Sequence, residues 1–201
     1  VNIRPLPLLK KEVLVDAIDL RGVKANTGNL IEGMEIKGTL GKLYAKADRI
    51  DLGKEIARLN KIDLSDTAIT LLMNDTTTNK DTTSTAVNWK LMLDQIDLDR
   101  VAFAMQIPGD SLRLSTYIDK AGLTDGIVDL GSARYSASQF LLSGSSLSYD
   151  GSYSDPAPGF DPAHIALNDV NIRIDSLLYG GRDISARIKK FSANDRSGLT
   201  L

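Results

Sequence analysis

Val170-Asn171-Ile172-Arg173-Ile174-Asp175 alternates aliphatic and polar residues without interruption. A period of two sends successive side chains to opposite faces of an extended chain, so one face is apolar and the other meets water. The same period recurs outward from this stretch. Ile184, Ala186 and Ile188 flank Ser185 and Arg187, and Leu112 and Leu114 flank Arg113. Val87, Trp89, Leu91 and Leu93 alternate with Asn88, Lys90, Met92 and Asp94. Turn-forming breaks separate the runs at Pro108-Gly109-Asp110, Asp125-Gly126 and Gly180-Gly181. The pattern predicts an all-β, elongated structure of many short antiparallel strands joined by turns. One helix is expected near residues 53–60, where Ile56 and Leu59 stand three apart, capping one end of a strand layer.

An internal repeat accompanies the alternation. Ile-Asp-Leu occurs at Ile18-Asp19-Leu20, Ile50-Asp51-Leu52, Ile62-Asp63-Leu64 and Ile96-Asp97-Leu98, with Val128-Asp129-Leu130 as a variant. The steps 50−18 and 128−96 are both 32, and 96−62 is 34. Near-constant steps of this size mark units that stack to share a core, here a degenerate unit of a few strands. Two segments depart from the pattern. Asn74 to Thr85 has no apolar residue and reads as a mobile loop. Ser143 to Gly159 reads as a strand around Leu147 and Tyr149 followed by a long turn, with a sub-boundary near residues 150–160.

Composition narrows the function classes. The 201 residues carry a net charge of −2, and 42% are apolar and 25% charged, which fits a folded chain. No concentrated basic run speaks for nucleic acid. There is no cysteine, which removes disulfides, thiolate zinc sites and cysteine nucleophiles. No apolar run approaches the roughly 18 residues of a membrane span. The chain starts without Met and ends inside an alternating pattern, so residues 1–201 are expected to be an internal segment of a longer scaffold.

Catalytic constellations are sparse. The only histidine, His164, follows Pro162 in an expected surface turn, and no Gly-x-Ser-x-Gly elbow accompanies it. Asp150, Asp155 and Asp161 lack the spacing of a calcium loop and read as turn formers. Asp19, Asp51, Asp63, Asp97 and Asp129 recur between aliphatics and read as solvated positions, with a carbohydrate-cleaving pair as the rival account. The expectation is a protein that is not an enzyme and needs no cofactor.

Phe160-Asp161-Pro162-Ala163-His164-Ile165-Ala166-Leu167-Asn168-Asp169-Val170-Asn171-Ile172-Arg173-Ile174-Asp175-Ser176, continuing through Ile184–Ile188, Phe191 and Ser197-Gly198-Leu199, resembles the TamB proteins of Bacteroides-type bacteria, within the AsmA-like group. Leu43-Tyr44-Ala45-Lys46-Ala47-Asp48, with Ile50-Asp51-Leu52 and Lys61-Ile62-Asp63-Leu64, is similar to the AsmA-like unit. The resemblance covers about half the chain. It implies a twisted, half-open, taco-like β-groove in a periplasmic protein anchored in the inner membrane, which supports outer-membrane assembly. It further implies phospholipid transport between the two membranes or, alternatively, a scaffold that helps outer-membrane β-barrel proteins insert by strand-edge pairing. An outer-membrane barrel partner would be met through regions outside this segment. Asp75-Thr76-Thr77 and Asp81-Thr82-Thr83 resemble the acceptor pattern of periplasmic O-glycosylation in such bacteria.

The residues leave two arrangements open, a β-sandwich with a filled core and a sheet splayed around an aliphatic groove. The resemblance favours the groove. Its candidate lining is Trp89, Leu91, Leu93, Leu112, Leu114, Val170, Ile172, Ile174, Ile184 and Ile188, with a phospholipid or other acyl-chain ligand as partner. A β-helical polysaccharide enzyme is the third reading. Strand edges around Val13–Leu20 and Ser197–Leu201 are expected to be unpaired, giving end-to-end self-association.

Overall fold

A computed structural model describes residues 12–13, 17–28, 30, 33–73, 88–152, 154–180 and 183–195. Nine strands occur among them: β1 (Glu12–Val13), β2 (Ile18–Asn26), β3 (Met34–Asp51), β4 (Ile56–Met73), β5 (Lys90–Ile107), β6 (Leu112–Asp129), β7 (Arg134–Asp150), β8 (His164–Gly180) and β9 (Asp183–Asp195). All belong to one sheet in the order β1-β3-β4-β5-β6-β7-β8-β9, with β2 also on β3 and the two ends not joined. The fold is all-β, and the strands are long rather than short. Six of them run 17 or 18 residues, against a usual five or six. Neighbours pair antiparallel throughout, except that β4 and β5 run parallel.

The phase of the alternation explains how strands so long can serve one face. In β5 the inward residues are 91 and 93, then 96 and 98, then 101, 103 and 105. β4 repeats this spacing at 57 and 59, 62 and 64, then 67, 69 and 71, in parallel register with β5. In β7 the positions are 135 and 137, 140 and 142, then 145, 147 and 149. Each strand therefore slips by one residue twice. A single slip would send all later side chains to the other face. Here each slip coincides with a gap in the ladder, as at Asn60 and Asp94 or Asp66 and Arg100 between β4 and β5, that restores the same face, and the sheet becomes three panels with a common apolar side.

The slips line up across the sheet. The first crease runs through Gly22, Gly41, Asp66, Arg100, Asp119, Gly144 and Asn171, which stand level in the registers of successive strands. Gly22, Asp66, Arg100 and Gly144 have positive φ there, as does Asp169 beside Asn171. That conformation costs a non-glycine residue about 1–2 kcal/mol, so local bonds must hold it. Arg100 grips Asp66 with two bonds, Nε to Oδ1 at 2.7 Å and Nη2 to Oδ2 at 3.0 Å. Asn171 Oδ1 accepts the Gly144 N–H at 3.2 Å, while its Nδ2 donates to the Asp169 carbonyl at 2.8 Å. Thr67 and Ser145 each follow a positive-φ residue and donate their hydroxyl two residues back, to Ser65 O and Ser143 O. The second crease passes through Asn60, Asp94, Asp125, Ser138 and Ser176. Asn60 Nδ2 donates to Asp94 Oδ2 at 3.0 Å, and the Ser138 hydroxyl to Asp125 Oδ2 at 2.9 Å.

Both creases fold toward the apolar side. Several buried residues of the sheet lie on that side beside the creases: Thr67, Val101, Ser145, Val170 and Ala193 along the first, Leu93 and Ala137 along the second. Apart from Leu93, these corner side chains are no larger than valine. A Cβ on Gly126 would stand 2.6 Å from Leu123 Cδ2 and 3.3 Å from Leu93 Cβ, residues on opposite sides of the second crease.

Three expectations are corrected. Residues 53–60 form no helix. The Asp51 carboxylate instead accepts the N–H groups of Gly53 (3.1 Å) and Lys54 (3.0 Å), making a turn, and Glu55 takes φ 56°. Ile56 then enters β4, where Ala57 and Leu59 point inward, because pairing on both sides outweighs the weak propensity of one helical turn. Asp125-Gly126 is not a break between strands but lies inside β6 at the second crease. The β4–β5 pair is parallel, which the alternation alone does not reveal. The loop from Asn74 to Thr85, including its threonines, lies outside the described residues. Residues 151–163 connect β7 to β8, which pair with one another, so the sheet is continuous past them.

Two tests follow from the creases. Gly126→Val should destabilise the fold by about 1–3 kcal/mol in urea melts through overpacking of the corner. Asp66 is held below the usual carboxylate range by its bonds to Arg100. Its contribution is therefore full above the unfolded pKa, about 3.9, and fades as pH falls through the lower folded value. Melting temperature should fall in that acid window, and Asp66→Asn should flatten part of the fall.

Candidate functional site

Residues paired in register share a face, so the inward rows can be followed from edge to edge. In the middle panel one row runs Ile18, Ala45, Ile62, Ile96, Leu123, Phe140, Ile174, Ile188. The next runs Leu20, Leu43, Leu64, Leu98, Ala121, Leu142, Ile172, Phe191. Neither row contains a polar residue. The row between them, on the outer face, runs Asp19, Tyr44, Asp63, Asp97, Gly122, Leu141, Arg173, Lys190. Outer charges pair along their own strands, as in Lys61–Asp63 (3.2 Å) and Arg173–Asp175 (3.4 Å). Such exposed pairs add solubility more than stability.

The apolar rows form the floor of a trough, and the outer panels form its walls. Beyond the first crease the wall carries Ile69, Phe103, Thr116, Leu147 and Leu167, then Leu71, Met105, Leu114, Tyr149 and Ile165. Beyond the second it carries Ile50, Ala57, Leu91, Val128, Tyr135, Tyr179 and Ile184, with the two tyrosine rings 5.9 Å apart. Among the described residues no second layer covers this face, since the substantial contacts of each strand are with its hydrogen-bonded neighbours. Six apolar residues are buried among the described ones, and most floor residues are half-exposed. At strand spacing of about 4.8 Å, eight strands give a trough about 34 Å long, running across the strands. One of its hollows, about 250 Å³, is lined by Val23, Ala25, Ile36, Gly38, Thr39, Leu40, Thr67 and Ile69.

The expected lining residues fall as follows. Ile172, Ile174 and Ile188 are on the floor, Val170 at the first crease, Leu112 and Leu114 on one wall, and Leu91, Leu93 and Ile184 on the other. Trp89 precedes β5, where its carbonyl accepts the Leu130 N–H at 3.0 Å, and so stands at the end of the sheet. The alternation alone missed Ile62, Leu64, Ile96, Leu98, Leu123, Phe140 and Leu142. The Ile-Asp-Leu triplets at 18, 62 and 96 were their signal, since each sets two aliphatics on the floor and one aspartate outside. The triplets at 50 and 128 begin on the wall and end in exposed turn leucines, Leu52 and Leu130. Only the step of 34 is a structural register, that of β4 on β5.

His164 is buried rather than on the surface. It opens β8, with Nδ1 3.0 Å from Asp150 Oδ1 and Nε2 3.5 Å from the Ser154 hydroxyl. The order Asp-His-Ser matches a nucleophile relay, but the Ser154 contact is at the limit of a hydrogen bond. The Ser154 N–H is bonded to Ser152 Oγ at 3.1 Å. The cluster instead fastens the β7–β8 connection, together with Asp161, which accepts the N–H groups of Ala157 (2.8 Å) and Ala163 (2.9 Å). A hollow of about 340 Å³ outside the second crease is lined by Asp48, Arg49, Lys54, Ile56, Arg58 and Met92. Its guanidinium groups are engaged by Asp51 (3.1 Å) and Asp94 (3.6 Å), which leaves little field for an anion.

An uncovered apolar trough should bind a hydrophobic fluorescent probe in the native state. Leu98→Glu, on the floor, should lower the probe signal several-fold, while Asp97→Asn, its outward neighbour, should leave it unchanged. No protein-family model matches the chain, and no curated protein matches it.

Proposed function

We propose that the trough carries acyl chains, and that this chain is a non-enzymatic segment of a periplasmic bridge that moves phospholipid between the inner and outer membranes. The observation behind this reading is the continuity of the floor, in which two uninterrupted apolar rows reach both sheet edges. A hydrocarbon tail on these rows stays out of water along the whole path, which is worth about 0.8 kcal/mol for each buried methylene. Head groups would remain at the open mouth, where no described strand stands in the way. The row chemistry suits the ligand class, since Ile, Leu, Ala and Phe offer dispersion contacts and no directional bonds, so a tail can slide without breaking specific interactions. The resemblance to TamB and AsmA-like proteins supports the same reading and the same location, within a longer protein anchored in the inner membrane.

Mass spectrometry of organic extracts from the purified protein should detect phospholipid. Ile172→Glu and Leu98→Glu should keep the β circular-dichroism spectrum and a cooperative melt, because a carboxylate on the floor can still reach water. Both should lose most of the bound lipid. Absence of lipid from the wild type, with both variants unfolded, would instead mean a packed structural module.

A further inference from the structure

The two lateral edges of the sheet are formed by β1 and β2 on one side and by β9 on the other. Following the pairings, β2, β4, β5, β7 and β9 run in one direction, and β3, β6 and β8 in the other. The sheet thus comprises two antiparallel groups, β1/β2 to β4 and β5 to β9, each beginning and ending on strands of the same direction. Their junction has to be parallel, and it is: Ile62 meets Ile96 and Leu64 meets Leu98, with Asp66 bound to Arg100 at the crease. The outer edges present the same directions once more.

We infer that β9 of one copy pairs in parallel with β2 of a second copy, repeating the β4–β5 junction between molecules and extending the trough. The rows fix the register. Ile188 ends the floor row that Ile18 begins, and Phe191 ends the row that Leu20 begins, so the residue offset is 170 for one pair and 171 for the other. On the outer face Lys190 ends the row that Asp19 begins, which sets opposite charges side by side. The surface is available on both partners. Ile188 is 61% exposed and Phe191 48%, and β2 is exposed along most of its length. The association is head to tail and does not close, so copies add in a row with the crease lines continuing from one to the next. It needs no lipid and stands apart from the ligand reading.

The chain has no cysteine, so single cysteines report the register directly. Lys190→Cys and Asp19→Cys, mixed under mild oxidation, should give a disulfide-linked dimer several-fold more abundant than either variant gives alone. The displaced pair Asp183→Cys with Lys24→Cys should give none. In sedimentation velocity the wild type should shift with concentration toward an elongated dimer. Asp19→Lys should weaken this about two- to fivefold, as a like-charge cross-strand pair does, and mixing it with Lys190→Glu should restore it. Self-linking of Lys190→Cys alone, or a monomer at every concentration, would overturn the inference.

Discussion

A side chain's face in a β-strand is set by whether its position is odd or even, and one inserted step exchanges the faces of everything that follows. Strands of 17 or 18 residues with two such steps would therefore present an apolar middle between two reversed ends if the backbone stayed flat. The backbone does not stay flat. At each step the ladder pairing is interrupted, in several strands at a residue with positive φ, and the inward set returns to the same side. The folding of the sheet into three panels and the continuity of its apolar face are thus one event. That event must happen at the same height in every strand. Asp66 with Arg100, and Asn171 with Gly144, hold it there by binding across the strands, while Asn171 also bonds Asp169 within β8.

This dependence also accounts for the residue types at the creases. Positive φ selects glycine, aspartate and serine at most of these positions, and concavity favours side chains no larger than valine at most positions just inside them. Arg100 is the exception by type. Its conformation is held by bidentate contact with Asp66, and its other guanidinium nitrogen reaches Asp99 at 2.7 Å. An apolar face with no opposed layer gains less from burial than a filled core does. Cross-strand contacts and the corners therefore carry more of the stability than in a sandwich.

Much of the fold was legible because alternation is local. Val170 to Ile174, Leu112 with Leu114, and Ile184 to Ile188 all lie in strands, and the turn at Pro108–Asp110 is a turn. The failures come from residues whose local preference serves two geometries. Asp125-Gly126 is a turn signature, yet an aspartate at positive φ before a glycine equally suits a bulge inside a strand. Ile56 and Leu59 fit one turn of helix, yet Leu59 and Ile62, also three apart, mark a phase slip within a strand. The second meaning becomes visible only when several strands are set side by side and the three-residue steps coincide. The parallel β4–β5 register rests wholly on distant pairing, and the step of 34 between two Ile-Asp-Leu triplets was its one trace in the sequence. His164 reads as a turn residue from its local sequence because its burial depends on Asp150 at the end of β7 and on Ser154 within the β7–β8 connection.

The trough runs across the strands and not along them, and this separates its bore from its length. Panel widths are written within each strand, in the number of residues between one slip and the next, about 20 Å for the six residues of the middle panel. Length is written only in how many strands stand side by side, in steps of about 4.8 Å. Gain or loss of a hairpin would lengthen or shorten the channel by two slats and leave its cross-section unchanged. Altering the bore would require moving a slip in every strand at once. Such a channel is free to vary in reach while its gauge stays fixed.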